Sequence, residues 1–248
     1  MDDDLFNING TTGVVTFKAA PNFEAPAGGV GDDSNDYVIE VTATDDGTGT
    51  LTATQTITIS VTNVNDAPAI TSASTASVAE NQTAAIDVNH SDADSDTITY
   101  TLTGSVDDDL FNINGTTGVV TFKAAPNFES AGDANADNDY VIEVTATDDG
   151  TGTLTATQTI TISVTNANDA PAITSASTAS VAENQTAAID VNHSDADGDT
   201  ITYTLSGGAD SALFNINSGT GVVTFKACLL YTSPSPRDRS LSRMPSSA

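Results

Sequence analysis

The feature that most constrains this fold is an internal repeat with a period of one small domain. Residues 65–102 recur at 168–205 with a single change, Ser95 to Gly198. Residues 2–24 recur, without change, at 107–129. A period of this length indicates tandem modules that each bury their own core. The repeat predicts a partial module over 1–66 that lacks its first strands, a complete module over 67–169, and a partial module over 170–227 that lacks its last strands.

Both ends of the chain interrupt the repeat. Met1 stands where the next copy has Val106, so we expect the natural protein to continue upstream. After Ala227 the repeat stops, and residues 228–248 contain the only cysteine and every arginine of the chain. This segment is similar to one translated reading frame of a sequencing-library adapter. We therefore expect an artefactual, disordered tail and leave it out of the functional reasoning.

Charge limits the partners that this chain can have. Lysine and arginine number 6 against 34 acidic residues, which gives a formal net charge of -28. Such a charge repels nucleic acid and anionic membrane surfaces and favours cations. No apolar run approaches the roughly 18 residues of a membrane span, so we expect no membrane insertion. An acidic surface that only confers solubility is the alternative, but the acids cluster at equivalent points of the repeat.

Strict alternation of apolar and polar residues predicts β-strands throughout the complete module. Tyr140, Ile142, Val144 and Ala146 share one face of a strand, and the run 154–164 alternates apolar residues with threonine. Further strands are predicted over 77–79, 84–88, 98–102, 110–113 and 119–122. No segment has helical periodicity. The predicted fold is therefore all-β: tandem Greek-key β-sandwich modules of about seven strands, arranged as a linear array.

Oxygen-bearing side chains gather at the joints between modules and at strand ends. Residues 63–68 and 166–171 each end in Asn-Asp-Ala-Pro, and the proline stiffens the joint. Acidic clusters follow strands at 45–46, 92–96, 148–149 and 195–199. Strand ends lie at the poles of a sandwich, where successive modules meet. Calcium takes six to eight such oxygens, so the pattern predicts a cation clamp between modules.

The order of these motifs resembles the cadherin repeat in its bacterial tandem form, over residues 2–227. The matching motifs are Asn-Asp-Ala-Pro, Ser-Val-Ala-Glu-Asn, Asp-Ala-Asp, Tyr-Thr-Leu, Phe-Asn-Ile-Asn, Thr-Gly-Val-Val-Thr-Phe, Asn-Phe-Glu, Tyr-Val-Ile-Glu-Val-Thr-Ala-Thr-Asp and Thr-Ile-Ser-Val-Thr-Asn. The resemblance implies Ca²⁺ at each junction. The first junction would use Glu24, Asn63, Asn65, Asp66, Asp92, Asp94 and Asp148. The second would use Glu80, Glu129, Asn166, Asn168, Asp169, Asp195 and Asp197.

Some positions depart from the family pattern. Asn63 and Asn166 stand where the family usually has aspartate, and Ala67 and Ala170 replace an asparagine. Fewer charged ligands imply weaker sites or fewer ions at each junction. Millimolar affinity would suit an extracellular setting.

The resemblance implies a calcium-binding extracellular repeat segment of a large bacterial adhesin or surface stalk, in which calcium stiffens the junctions. It implies no enzyme. The partners would be calcium ions and a cell-surface protein or glycan bound through domains outside this segment, or homophilic contact. The alternative is a set of polysaccharide-binding or accessory modules of a secreted hydrolase.

Three features leave alternatives open. His90 and His193 occupy the same repeat position without the partners of a transition-metal site, which favours surface or loop histidines. Asp133, Asp137 and Asp139 either supplement the calcium site or form a solvated loop. The threonine faces of the strands fit solubility and β-propensity, while ice or sugar binding would need regular outward rows.

Overall fold

The computed structural model describes residues 1–27 and 34–227, and the tail predicted over 228–248 lies outside them. The described chain is built from β-strands and short 3₁₀ turns, so the all-β prediction is confirmed. It divides into two compact units, Met1–Asn166 and Ala167 onwards. Within the described residues there is no helix with the length and apolarity that crossing a bilayer requires.

The first module of unit 1 consists of two antiparallel hairpins. A 3₁₀ turn at Asp3–Leu5 leads into the strands, which are β1 (Phe6–Ile8), β2 (Val15–Phe17), β3 (Asp36–Thr44) and β4 (Thr52–Ser60). β1 pairs with β2, and β3 pairs with β4 over their full length. Phe6, Tyr37 and Ile39 form a small core between the hairpins.

The complete module follows in the same unit. Its strands are β5 (Ala69–Ile70), β6 (Thr75–Ala79), β7 (Ala84–Asp87), β8 (His90–Ser91), β9 (Thr99–Leu102), β10 (Phe111–Ile113), β11 (Val119–Phe122), β12 (Asp139–Thr147) and β13 (Thr155–Thr165), with a 3₁₀ turn at Asp108–Leu110. One sheet has the order β10-β11-β7 and the other β6-β13-β12-β9, while β5 pairs with β8. β6 runs parallel to β13 and the other pairings are antiparallel.

The core of the complete module lies between these two sheets. Ile142, Val144 and Ala146 of β12 are fully buried, as their alternation predicts, and Ile160 and Ile162 of β13 join them. Leu154 differs from the prediction because it precedes β13 and is 37% exposed. The β12–β13 turn ends only at that residue, so its side chain lies at the end of the sheet rather than over the core.

Unit 2 repeats part of this architecture. Its strands are β14 (Ala172–Ile173), β15 (Ala187–Asp190), β16 (His193–Ser194), β17 (Phe214–Ile216) and β18 (Val222–Phe225), with a 3₁₀ turn at Ser211–Leu213. β15, β18 and β17 form one sheet in that order, and β14 pairs with β16. Residues 178–182 and 202–205, the counterparts of β6 and β9, have no strand pairing in unit 2. The described residues of this unit include no counterpart of the β12–β13 hairpin with which they would pair.

Candidate metal sites

The linker between the first and the complete module is held in place by one carboxylate. Asp94 lies in the loop after β8, and its two oxygens accept hydrogen bonds from the Asn63 side-chain amide and the Asp66 backbone N–H, both at 2.7 Å. The Asp66 N–H contributes most to lowering the pKa of Asp94, followed by the Asn63 amide, while burial opposes them. Asp94 is therefore held ionised against the linker.

Three carboxylates converge at this linker. Glu24 comes from the first module, Asp66 from the linker and Asp94 from the complete module, and each places an oxygen within 4.8 Å of the others. At this separation two carboxylates repel by about 3–4 kcal/mol at an effective dielectric near 20. The cluster therefore favours a bound cation, and one ion there would contact both modules and the linker.

A second cluster lies directly beside the first. Asp92, Asp94 and Asp96 also bring one oxygen each within 4.8 Å of one another. Asp92 Oδ1 accepts the Asp96 N–H at 3.1 Å. The other oxygen of Asp92 and Oδ2 of Asp96 are buried atoms that accept no hydrogen bond in the described structure. Burial raises the pKa of Asp96, and the charges of Asp92, Asp149, Asp94 and Asp148 add to that rise.

A glycine allows the linker to approach this cluster. Asn65 donates its side-chain amide to Oδ2 of the buried Asp148 at 3.0 Å, and Asp148 Oδ1 accepts the N–H of Gly150 at 3.2 Å. A Cβ on Gly150 would lie only 1.9 Å from Asn65 Oδ1 and 2.2 Å from Asp96 Oδ2. Only glycine lets both oxygens occupy these positions. They line an open cleft of about 790 Å³.

The donor set fits calcium. The clusters offer carboxylate oxygens, and the Asn65 amide oxygen lies beside them, which is the hard-oxygen chemistry that calcium selects. Among the described residues, none of these clusters includes a histidine or cysteine. The unpartnered buried oxygens of Asp92 and Asp96 are acceptors that a cation would satisfy.

The remaining predicted ligands are described within their own units. In unit 1, Glu80 is buried and its Oε2 accepts the Phe128 N–H at 2.8 Å, while Glu129 and Asn166 are exposed. In unit 2, Asp197 Oδ2 accepts the Asp169 N–H at 2.6 Å, the contact that Asp94 makes with Asp66 in unit 1. Asn168 donates its amide to the Asp169 carbonyl at 3.4 Å.

The acid loop of unit 2 has the same form as that of unit 1. Asp195, Asp197 and Asp199 place oxygens within 4.8 Å of one another, and Asp195 Oδ1 accepts the Asp199 N–H at 2.9 Å. The single substitution between the repeats falls in this loop. Ser95 has a φ of 63° and Gly198 a φ of 75°. Glycine takes this left-handed conformation without strain, so the change preserves the loop.

Sequence reasoning missed Asp96 and Gly150 as parts of the site. Asp96 extends the Asp-x-Asp pair by one step of two residues, and this regular spacing was the available signal. The approach of Gly150 to the linker has no sequence signal, because it depends on how the turn after β12 folds over residues 63–66.

Asp133, Asp137 and Asp139 serve neither of the expected roles. The oxygens of Asp133, which is buried, accept the N–H groups of Asp137 and Asn138, both at 3.1 Å. Burial acts to raise the pKa of Asp133, but these and other backbone N–H groups together lower it. Asp137 and Asp139 bind their own loop and β13 through the Asp139 N–H and the Ser163 hydroxyl. The three residues therefore brace the loop between β11 and β12.

The two histidines are exposed, as predicted, yet each has a defined partner. His90 Nδ1 and the Tyr100 hydroxyl share a hydrogen bond of 2.5 Å, and His193 and Tyr203 share the equivalent bond in unit 2. Tyr100 belongs to the core, and burial raises the pKa of its hydroxyl. The histidine thus satisfies the polar end of a core tyrosine.

Residues 74–165 match the family model of the cadherin domain. These residues are a cadherin domain. The range contains both sheets of the complete module. Residues 168–236 match the model of a bacterial Ig domain, which is also a β-sandwich. A comparison with curated protein sequences gave no significant match.

Solved structures of cadherin repeats share this fold. The human CDH23 EC21-23 structure is 22% identical, with a TM-score of 0.56 over 91% of this chain and 76% of that one. Protocadherin Gamma B2 extracellular cadherin domains 3-6 are 23% identical, with a TM-score of 0.53 over 92% of this chain and 59% of that one. The Protocadherin gammaB7 EC3-6 cis-dimer structure is 23% identical, with a TM-score of 0.52 over 92% and 58%.

These comparisons establish the tandem cadherin-like fold. This chain spans less than two thirds of the two protocadherin chains. Cadherin and bacterial Ig domains are typical of extracellular and surface proteins, and cadherin domains are typically adhesion modules rather than enzymes. Cadherin domains bind Ca²⁺ at the junctions between them, and the oxygen clusters around residues 63–66 lie at such a junction.

Proposed function

We propose that this chain is a calcium-binding segment of an extracellular adhesin or surface stalk, in which calcium stiffens the joint between successive modules. The observation that carries the proposal is the convergence of Glu24, Asp66 and Asp94, one from each side of the joint and one from the linker. Bound calcium supplies positive charge and oxygen coordination. The protein residues place the acids together and hold Asp94 ionised.

The assignment covers the junction residues of unit 1 and extends to their equivalents by the repeat. The proposed ligands in the first junction are Glu24, Asn63, Asn65, Asp66, Asp92, Asp94 and Asp148. Glu80, Glu129 and Asn166 in unit 1, and Asn168, Asp169, Asp195 and Asp197 in unit 2, are proposed for the same role by equivalence. The proposed modules are 1–66, 67–169 and 170–227. The bacterial Ig match over 168–236 supports a bacterial surface protein.

Isothermal calorimetry of the full chain with calcium tests the proposal. We expect saturable binding of more than one ion and a higher melting temperature in calcium than in chelator. An ion present at 100 times its dissociation constant stabilises the folded state by about 2.7 kcal/mol. The absence of binding at about 10 mM calcium, together with melts that chelator leaves unchanged, would exclude the proposal.

A matched pair of variants localises the binding. Asp94→Asn removes a charge from both clusters of unit 1, whereas Asp109→Asn removes a charge from an exposed residue outside them. We expect Asp94→Asn to abolish or weaken at least tenfold the binding at the first junction and Asp109→Asn to bind as the parent does. Equal affinity in the two variants would place the ions elsewhere.

A further inference from the structure

The first module leaves an apolar face open to solvent. Ile57 is 36% exposed, whereas its equivalent Ile160 in the complete module is fully buried. Ile8 is 52% exposed, while its equivalent Ile113 packs against the core. The face includes a groove of about 240 Å³, lined in part by Phe6, Ile8, Val15, Ile39 and Val41. This face has the chemistry of a core rather than of a surface.

The complete module shows what covers this face. There the equivalent core positions pack together with Ile98, Tyr100 and Leu102. The strand β9 pairs with one edge of the β12–β13 hairpin and β6 pairs with the other. In the first module, the part of the chain that the structure describes pairs no strand with the outer edge of β3 or β4. The occupant that fits is a segment with the sequence of residues 65–102.

Such a segment is present in unit 2. Residues 168–205 match residues 65–102 at every position except 198. Within unit 2, residues 178–182 and 202–205 form no strand, and Leu205 is 39% exposed. The first module therefore has the hairpin that this segment needs, and unit 2 has the strands that the first module needs.

We propose that residues 168–205 of one copy of this chain complete the module at residues 1–62 of a second copy. By the register of β9 on β12, residues 202–205 add to the edge of β3 with Thr204 opposite Thr42. By the register of β6 on β13, residues 178–182 add to β4 in parallel. The added strands place Ile201, Tyr203 and Leu205 in the open groove.

The exchange conserves the pairing that it disturbs. β15 leaves β18 of its own copy and pairs with β2 of the other copy. Residues 14–17 and 222–225 have the same sequence, Val-Val-Thr-Phe, so one pairing replaces an identical one. The edges of β3 and β4 gain partners in addition. The contact joins two different surfaces, so it produces open head-to-tail chains rather than closed dimers.

A disulfide trap in the full chain tests the register. In a Cys228→Ser background, we combine Thr42→Cys with Thr204→Cys, since directly opposed strand residues lie within disulfide reach. The control combines Thr204→Cys with Thr52→Cys. By the same register Thr52 lies one strand further away, beyond that reach. We expect reducible dimers and longer chains for the first pair only, with the linking peptide found by mass spectrometry. Internally crosslinked monomers, or no crosslink, would overturn the proposal.

Sedimentation velocity on unlabelled protein gives a second test. From about 1 to about 100 µM, after equilibration, the parent chain should shift from monomer to higher species. Leu205→Asp places a charge in the groove and should weaken association at least tenfold, whereas Val106→Asp, at an exposed loop residue, should associate as the parent does. Monomer at every concentration, or equal association of the two variants, would overturn the proposal. Runs in calcium and in chelator separate this result from the calcium proposal.

Discussion

Replacing Gly150 with alanine should damage the proposed calcium site with little other effect. The new Cβ would lie 1.9 Å from Asn65 Oδ1 and 2.2 Å from Asp96 Oδ2. Ordinary carbon contacts begin near 3.5 Å, so both oxygens must move by about 1.5 Å. That movement breaks the 3.0 Å hydrogen bond from the Asn65 amide to the buried Asp148. Hydrogen bonds to charged groups contribute about 1.5–3 kcal/mol.

The expected loss can be measured in two ways. In a module of this size, 1 kcal/mol shifts the melting temperature by about 4–8 °C, so Gly150→Ala should melt roughly 10 °C lower by circular dichroism. Because two oxygen donors are displaced, calcium affinity at the first junction should fall at least tenfold by calorimetry, or about 1.4 kcal/mol.

The repeat supplies a control for this prediction. Gly47 is the equivalent residue of the first module, and a Cβ there meets only Asp45 atoms at 3.6 Å or more. Gly47→Ala should therefore bind calcium and melt as the parent chain does. If Gly150→Ala and Gly47→Ala behave alike, the reasoning about the cradle at Gly150 is wrong.

Three further variants test individual contacts. Asp107→Ala removes a buried carboxylate that accepts two backbone N–H groups at 2.8 and 2.9 Å, and should lower stability by about 2–4 kcal/mol in urea unfolding. Gly118→Ala brings a Cβ within 2.3 Å of a backbone carbonyl, so we expect a loss of at least about 2 kcal/mol by the same assay. Asp96→Asn removes a carboxylate whose raised pKa makes its ionisation destabilising to the fold, so in chelator it should raise the melting temperature at pH 7, with the gain shrinking as pH falls towards 3.8.

Each of these variants has an outcome that contradicts it. Asp109→Ala, at an exposed acid of the same turn, should leave stability unchanged, and an equal loss there would refute the Asp107 argument. Gly13 has the same φ of 73° as Gly118 but open space around it, so Gly13→Ala isolates backbone strain from the clash. Equal effects at the two glycines would refute the clash. A gain for Asp96→Asn that does not depend on pH would refute the role of its charge.

Much of the fold follows from local sequence patterns. The alternation over Tyr140 to Ala146 predicts β12 and its buried face, and the structure confirms both. The strand at 119–122 is found at the predicted residues. Leu110 was expected within a strand but ends a 3₁₀ turn instead. Two-residue periodicity marks which side chains share a face, but it does not register where a turn precedes the strand.

The candidate site divides in the same way. The acids at 24, 66, 92 and 94 stand out in the sequence because they recur at strand ends and at the joint. The position of Asp96 against Gly150, by contrast, depends on how two distant loops fold over the linker. Asp133 was ambiguous for the same reason, since only the folded loop shows that its oxygens accept backbone N–H groups.

The sequence by itself determined the modular organisation, the all-β class and the oxygen-rich chemistry of the joints, because a repeat, a two-residue period and a residue's functional groups are all local properties. Only the tertiary structure decided which oxygens meet, which acids brace their own loops and which apolar residues stay uncovered. Those outcomes depend on strand pairing between residues far apart in the chain. The same apolar residue is therefore buried as Ile160 and exposed as Ile57.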